Sequence, residues 1–174
     1  MGKKARERKI RVIERRRSIL RIITQNPGIH LRELERTSGM GLGALRNLLD
    51  SLISQKLVAQ EEVDGLRTLF PTTGIDSLNR KPIALLRKQH LRSIVELLLS
   101  AESLTHRELQ LHMGIPRTTL RGHVDVLKRA GIVSTELNIS LIDPGMIEQI
   151  LLLTEPRYID RLVSAVIEIF DLIN

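Results

Sequence analysis

Cysteine is absent from this chain of 174 residues, and aromatic side chains are nearly absent. Without cysteine the chain has no disulfide, no thiolate nucleophile and no cysteine redox switch. The aromatic residues are Phe70, Tyr158 and Phe170, so the hydrophobic core must consist mainly of Leu, Ile and Val. The same scarcity argues against nucleic-acid-binding folds that stack bases on aromatic side chains.

Long apolar runs are also missing. No apolar run approaches the roughly 18 residues that a membrane span needs. The N-terminus is basic, but the apolar segment of a secretory signal does not follow it. Together with the lack of cysteine, these absences favour a cytoplasmic protein without a membrane segment.

No motif for catalysis or metal binding is present. The sequence has neither a P-loop nor a G-x-S-x-G motif, and the glycine-rich stretch 39–43 does not follow a predicted strand. His106 and His112 lie six residues apart, which does not place them on one helix face as a spacing of four would. A metal sensor needs three or four converging ligands. We therefore expect no enzyme activity, no cofactor and no metal site.

Positive charge is concentrated near the N-terminus. Residues 1–17 carry nine Lys or Arg and two Glu, a net charge of +7, whereas residues 143–174 carry a net charge of −4. Such a charge run is often only a solvated helix face. Here it directly precedes a predicted helix-turn-helix, which favours contact with DNA phosphates. The residues predicted to make these contacts are Arg8, Arg11, Arg15 and Arg16.

Residues 104–133 have the pattern of a helix, a tight turn and a second helix. Thr105 is a predicted N-cap, and Glu108 three residues later completes the spacing of a capping box. Gly114 can end that helix in a left-handed conformation, and Pro116 suits the first turn of the next helix. A short helix, a glycine turn and a helix with a small, basic outer face is the shape that enters a DNA major groove.

The second helix of this stretch divides into a buried face and an outer face. Leu120, Val124 and Leu127 follow the i, i+4, i+7 spacing of a buried stripe. On the outer face, arginine can pair bidentately with a guanine edge, and threonine can contact a base or a thymine methyl. The residues predicted to read bases here are Arg117, Thr118, Thr119 and Arg121, and Lys128 is predicted to contact a phosphate.

The same unit occurs twice in the chain. Residues 17–58 align with residues 92–133 at a constant offset of 75 without a gap, and twelve of the 42 positions are identical. The identities include the turn glycines Gly39 and Gly114 and several leucines of the predicted inner faces. Two unrelated helical hairpins with a common leucine pattern are the alternative, but two related small domains explain the identities better.

The first unit is predicted to carry the longer wing and the weaker base reader. Residues 57–63 and 66–71 have the pattern of two strands, and Asp64-Gly65 supplies a tight hairpin turn between them. Arg67 in this hairpin is predicted to contact a phosphate. The predicted recognition helix, residues 41–55, begins with two glycines and offers few side chains to a base. Its base-reading candidates are Arg46 and Asn47.

Local signals also predict the element boundaries. Residues 1–10 are predicted to form a frayed arm, and Pro82 is predicted to open a helix over 83–100. Residues 132–135 and 138–141 are predicted to form a second, shorter wing without basic residues. The predicted domains are a basic arm and helix start (1–16), a first winged helix-turn-helix (17–72), a linker (73–81), a second winged helix-turn-helix (82–142) and C-terminal helices (143–174).

The last predicted helix runs from Pro156 to about Ile173 and is unusually apolar. Ile159, Val166 and Ile173 recur at intervals of seven, a spacing that suits a coiled-coil-like seam. Because apolar residues occur on more than one face, we predict a homodimer, and the alternative is that the helix packs only on its own chain. The predicted dimer interface consists of Ile159, Leu162, Val163, Val166, Ile169, Phe170 and Ile173.

The chain resembles winged-helix regulators of the ArsR/MarR-like class, with Leu31-Arg32-Glu33-Leu34 and His106-Arg107-Glu108-Leu109 in the second helices of its two units. More closely, it is similar to archaeal predicted transcriptional regulators with two winged helix-turn-helix domains. Asn26 to Leu34 and Asp143-Pro144 to Phe170 carry this similarity, which covers about residues 17–173. The resemblance implies a DNA-binding fold and dimerisation, and it implies no ligand.

We therefore expect a mainly α-helical fold with small β-hairpin wings, in which a C-terminal helix follows two tandem winged helix-turn-helix domains. The leading interpretation of function is a sequence-specific transcriptional regulator that binds double-stranded DNA as a homodimer. One alternative is an adaptor whose winged helices bind protein in a transcription or sorting assembly. Another is a sequence-independent DNA-coating protein, but such a protein should be basic throughout, and the acidic C-terminal residues argue against it.

Overall fold

The computed structural model describes the backbone of residues 3–154 and 156–174 and the side chains of residues 4–154 and 159–174. Residues 1 and 2 of the predicted arm, and the Tyr158 side chain of the predicted last helix, lie outside this part. The described chain is mainly helical, with two small antiparallel sheets. It divides into unit 1, which comprises residues 1–80 and 154–174, and unit 2, which comprises residues 81–153.

The two units share one order of elements. In chain order the elements are α1 (Lys3–Gln25), β1 (Ile29–His30), α2 (Leu31–Ser38), α3 (Leu42–Ser54), β2 (Val58–Val63), β3 (Leu66–Pro71), α4 (Ser77–Leu86), α5 (Gln89–Ala101), β4 (Ser103–Leu104), α6 (His106–Met113), α7 (Arg117–Arg129), β5 (Val133–Ser134), β6 (Ile139–Leu141), α8 (Pro144–Leu153) and α9 (Pro156–Ile173). The pair α2 and α3 recurs 75 residues later as α6 and α7, with the same lengths. The predicted repeat is therefore confirmed for this helix pair.

Each unit contains a three-stranded antiparallel sheet, in the order β1-β3-β2 in unit 1 and β4-β6-β5 in unit 2. The predicted hairpin of unit 1 is confirmed, since β2 and β3 pair along their whole lengths. Asp64 and Gly65 both have the positive φ, 50° and 73°, that a tight hairpin turn requires. The shorter hairpin of unit 2 is confirmed by the pairing of Val133 with Leu141. These helices and hairpins are compatible with a winged-helix-like architecture.

Branched aliphatic side chains fill the core of each unit, as the composition predicts. In unit 1, α1 packs against α2, α3 and β3, and its Ile19, Leu20 and Ile23 are fully buried. In unit 2, α5 packs against α6, α7 and β6. The residues that the helical periodicity places inside are buried in both α3 and α7: Leu45, Leu48, Leu49 and Leu52 in α3, and Leu120, Val124 and Leu127 in α7.

Two predicted helix boundaries are wrong. The expected frayed arm is helical from Lys3, because the segment is rich in Lys and Arg, which are good helix formers. The helix expected over 83–100 is two helices, α4 and α5, which are separated at extended Lys88. Pro82 does not open α4 but lies inside it, because Asp76 caps the helix earlier, with its Oδ1 accepting from the Leu78 N–H at 3.1 Å.

The last helix, α9, packs against α1 within unit 1. Its Leu162, Val166 and Phe170 side chains are buried. An exposed ion pair joins the two helices, since Arg17 Nη2 lies 2.8 Å from Asp171 Oδ2. Packing on its own chain, the alternative to the predicted dimer seam, therefore occupies part of the apolar surface of α9.

Candidate nucleic-acid interface

The turn between α6 and α7 is built by local capping. Thr105 Oγ1 accepts from the Glu108 N–H, and the Glu108 carboxylate accepts from the Thr105 N–H at 2.8 Å, so the predicted capping box is confirmed. These hydrogen bonds lower the pKa of Glu108, because they favour its ionised form. Gly114 has φ 60° and donates its N–H to Gln110 O, which ends α6 as predicted. Pro116 precedes α7 as its N-cap.

This turn orients α7 with its leucine stripe inward and its polar face outward. The base-reading candidates on α7 are exposed: Arg117, Thr118, Thr119 and Arg121. A groove of about 330 Å³ runs along this exposed face. The residues that line it are His106, Arg117, Arg121, Val124, Asp125, Lys128 and Thr135. The structure thus brings together two of the predicted base readers, Arg117 and Arg121, with the predicted phosphate contact, Lys128.

The corresponding helix of unit 1, α3, presents fewer side chains to solvent. Arg46 and Asn47 are exposed, as predicted. Gly41 and Gly43, which flank the start of the helix, are also exposed, and an added Cβ at either position would meet no atom within 4 Å. Nothing in the packing of the described chain requires a glycine at these positions. The exposed surface of α3 therefore consists partly of backbone, and only a few of its side chains are charged.

The two hairpins differ in charge. In unit 1, Arg67 is exposed on β3, but its direct cross-strand neighbour on β2 is Glu62. A carboxylate at this position weakens the positive potential of the hairpin. In unit 2, the connection between β5 and β6 carries Glu136 and no Lys or Arg. Of the two hairpins, only that of unit 1 offers a cation to a phosphate.

The four predicted phosphate contacts on α1 fall into two groups. Arg8, Arg11 and Arg15 are exposed, as contact with phosphates requires. Arg16 is half-buried, and its Nη1 donates to Ser51 Oγ of α3 at 2.8 Å. Its guanidinium thus links α1 to α3, a role that sequence reasoning missed because Ser51 lies 35 residues away.

A stacked histidine pair in unit 2 was also missed. His90 of α5 and His123 of α7 lie with ring centroids 5.5 Å apart and an angle of 16° between their planes. Burial lowers the pKa of His123, and the nearby positive charges of His90 and Lys88 lower this pKa further. The histidines are 33 residues apart, so no local pattern could have joined them. The pair is a contact between α7 and α5.

In the described part of the chain, no group of three His, Asp or Glu side chains converges as a metal site. In residues 3–154 and 156–174, no helix has both the length and the apolar character to cross a bilayer. Comparison of the sequence with protein-family models and with curated proteins finds no match.

Proposed function

We propose that the protein is a sequence-specific transcriptional regulator that binds double-stranded DNA through two winged helix-turn-helix units. The observation that carries this proposal is the exposed basic face of α7. One side of α7 is buried in unit 2, and the other side lines a groove with Arg117, Arg121 and Lys128. A helix of about 10–12 Å in diameter fits the major groove of B-DNA, which is about 12 Å wide.

The residues on this face suit the chemistry of base edges. Arg117 and Arg121 are one helical turn apart and line one groove. Each guanidinium can donate two hydrogen bonds to O6 and N7 of a guanine. Thr118, which is exposed beside them, can contact a base edge or a thymine methyl. We therefore assign base reading mainly to α7.

The exposed cations of α1 support binding to the DNA backbone. Arg8, Arg11 and Arg15 belong to a segment of α1 that is exposed and strongly basic. Neutralising phosphates releases condensed counterions, so affinity should fall steeply as salt rises. Arg67 of unit 1 and Lys128 of unit 2 are further exposed cations that can each contact a phosphate. Arg16 is a weaker candidate, because one of its nitrogens is already bound to Ser51.

A protein-binding adaptor is the second candidate. Unit 2 exposes Leu111 on α6 to 74% and Leu137 in the β5–β6 connection to 98%. Apolar side chains at exposed positions suit a contact with another protein. They lie singly, however, whereas Arg117, Arg121 and Lys128 line a common groove, so the adaptor remains second.

The test is a binding titration of duplex DNA at two salt concentrations, after bound sites have been selected from random sequence. Arg121→Ala should lose about 1–3 kcal/mol on the selected site and relax preference at one base pair. Arg67→Ala should weaken all sequences alike and lower the salt slope by about one unit. Arg161→Ala, which removes an exposed cation of α9, is the control. It should change neither the base preference nor the salt slope.

Two outcomes would contradict parts of this proposal. If the protein binds no duplex DNA even at low salt, the regulator is wrong and the adaptor becomes the better proposal. If Arg46→Ala and Asn47→Ala abolish discrimination while Arg121→Ala preserves it, α3 is the reader and the assignment to α7 is wrong.

A further inference from the structure

The recognition helices α3 and α7 carry the same pair of charged residues at the same place. Arg46 and Asp50 of α3 correspond to Arg121 and Asp125 of α7 at the offset of 75. In each helix the two residues are four positions apart, so they lie on one face. All four side chains are exposed. Since so few outer-face positions are identical between the two helices, the recurrence of this pair points to a common role.

The pair is not a salt bridge that stabilises its own helix. In the described part of the chain, no ion pair joins Arg46 to Asp50 or Arg121 to Asp125. An acidic residue stabilises a helix better when it precedes its basic partner, and here the order is reversed. Both aspartates are therefore exposed and make no ion pair within the part of the chain that the structure describes.

An exposed carboxylate in a basic groove is free to accept a hydrogen bond from a ligand. Asp125 lines the groove that also contains Arg117, Arg121 and Lys128. Phosphates repel a carboxylate, so Asp125 would weaken a surface that recognised only the DNA backbone. Among groups in the major groove, the N4 amino group of cytosine donates a hydrogen bond that an aspartate accepts. The arginine one turn earlier suits guanine.

On the basis of the DNA-binding function proposed above, we propose that α3 and α7 each read a two-base element, guanine through the arginine and cytosine through the aspartate. Four residues advance a helix by about 6 Å, and successive base pairs are about 3.4 Å apart. The guanine and the cytosine are then within about two base pairs of each other. A bound site contains this element twice, once for Arg46 and Asp50 and once for Arg121 and Asp125.

The experiment selects bound sequences from random duplex DNA with the full chain and with two variants, Asp125→Asn and Asp50→Asn. Asparagine pairs with N6 and N7 of adenine, so each variant should replace the cytosine preference by an adenine preference in one element only. The change in preference should be on the order of tenfold or more. Glu148→Gln removes an exposed carboxylate from α8 of the same unit and should select the same sites as the unmodified chain.

Three outcomes would overturn this inference while DNA binding persists. If Asp125→Asn changes only the guanine preference, the aspartate positions Arg121 and reads no base. If it raises affinity for all sequences alike, the carboxylate acts only by repelling phosphates. If neither variant changes the selected sequence, the pair has no role in specificity. If the unmodified chain selects no duplex DNA, the proposed function fails, and the two-base element fails with it.

Discussion

His123 of α7 links the stability of the folded chain to pH. Its ring lies on that of His90, and burial together with the charges of His90 and Lys88 lowers its pKa. The folded state therefore binds a proton at His123 less readily than the unfolded state does. By linkage, this protonation costs stability as the pH falls below the ordinary value of 6.5, and it has no effect well above that value.

We expect the free energy of unfolding to fall when the pH is lowered from about 7.5 towards 5, and to fall less in His123→Phe. Phenylalanine keeps a ring for stacking on His90 but has no proton to gain. The measurement is denaturant unfolding at a series of pH values. His106→Gln, which replaces an exposed histidine, should follow the unmodified chain. An equal pH dependence in His123→Phe and in the unmodified chain would contradict this role for His123.

At the scale of elements, α7 contains a glycine that its own packing does not require. Gly122 is exposed inside the helix, and an added Cβ would meet no atom within 4 Å. A glycine inside a helix costs roughly 1 kcal/mol relative to alanine. The missing side chain instead allows another molecule to approach the backbone of α7 closely. The proposed DNA is such a molecule.

We therefore expect Gly122→Ala to raise the free energy of unfolding by roughly 1 kcal/mol while it weakens DNA binding. Denaturant unfolding and a DNA titration measure the two effects separately. Gly145→Ala in α8 is the control, because the nearest atom to its added Cβ is Asp143 Oδ1 at 3.5 Å, an ordinary contact. It should affect stability without affecting affinity. A more stable Gly122→Ala with unchanged affinity would show that nothing approaches the backbone at this position.

The elements that could be predicted from the sequence are those whose signals are local. Thr105, Glu108 and Gly114 lie within ten residues, and their hydrogen bonds set the limits of α6. The turn at Asp64-Gly65 likewise fixes the register of β2 with β3. The periodicity of α3 and α7 then separates the buried face from the exposed face without knowledge of any partner.

The features that could not be predicted depend on residues far apart in the chain. β1 is only two residues long, and it is a strand because Ile29 pairs with Leu69. The groove of the candidate site could not be predicted for the same reason, because His106 and Thr135, which lie outside α7, form part of its lining. The sequence predicts Arg16 only as a phosphate contact, since no local pattern indicates its hydrogen bond to Ser51.

At the scale of the whole molecule, the predicted homodimer depends on which apolar side chains of α9 remain exposed after α9 has packed on α1. Leu162, Val166 and Phe170 are buried, and Ile159 and Val163 are half-buried. The exposed fractions of the apolar residues in its last turns are 36% for Ile169, 85% for Leu172 and 51% for Ile173. We propose that a second copy packs on these three residues, because apolar side chains clustered on one helix end favour association.

Leu172→Lys should then convert the dimer to a monomer without a loss of stability, because the substituted side chain is exposed. Sedimentation at micromolar concentration gives the mass. Phe170→Ala is the contrasting variant, since it should cost about 3–5 kcal/mol through the cavity left in unit 1. A monomer in the unmodified chain, or a dimer that persists in Leu172→Lys, would contradict an interface at this end of α9. Removal of the whole of α9 could not separate loss of the dimer from loss of stability, because α9 also packs on α1.

The packing of α9 on α1 has a consequence for the nascent chain. Unit 2 is complete once Leu153 has been synthesised, but the face of α1 that packs on α9 is covered only when residues near Asp171 follow. The usual order, in which the N-terminal domain finishes first, is reversed. At translation rates of about 5–20 residues per second, this face of α1 stays uncovered for on the order of ten seconds. During that interval it is a target for chaperones and for α1 of a neighbouring nascent chain.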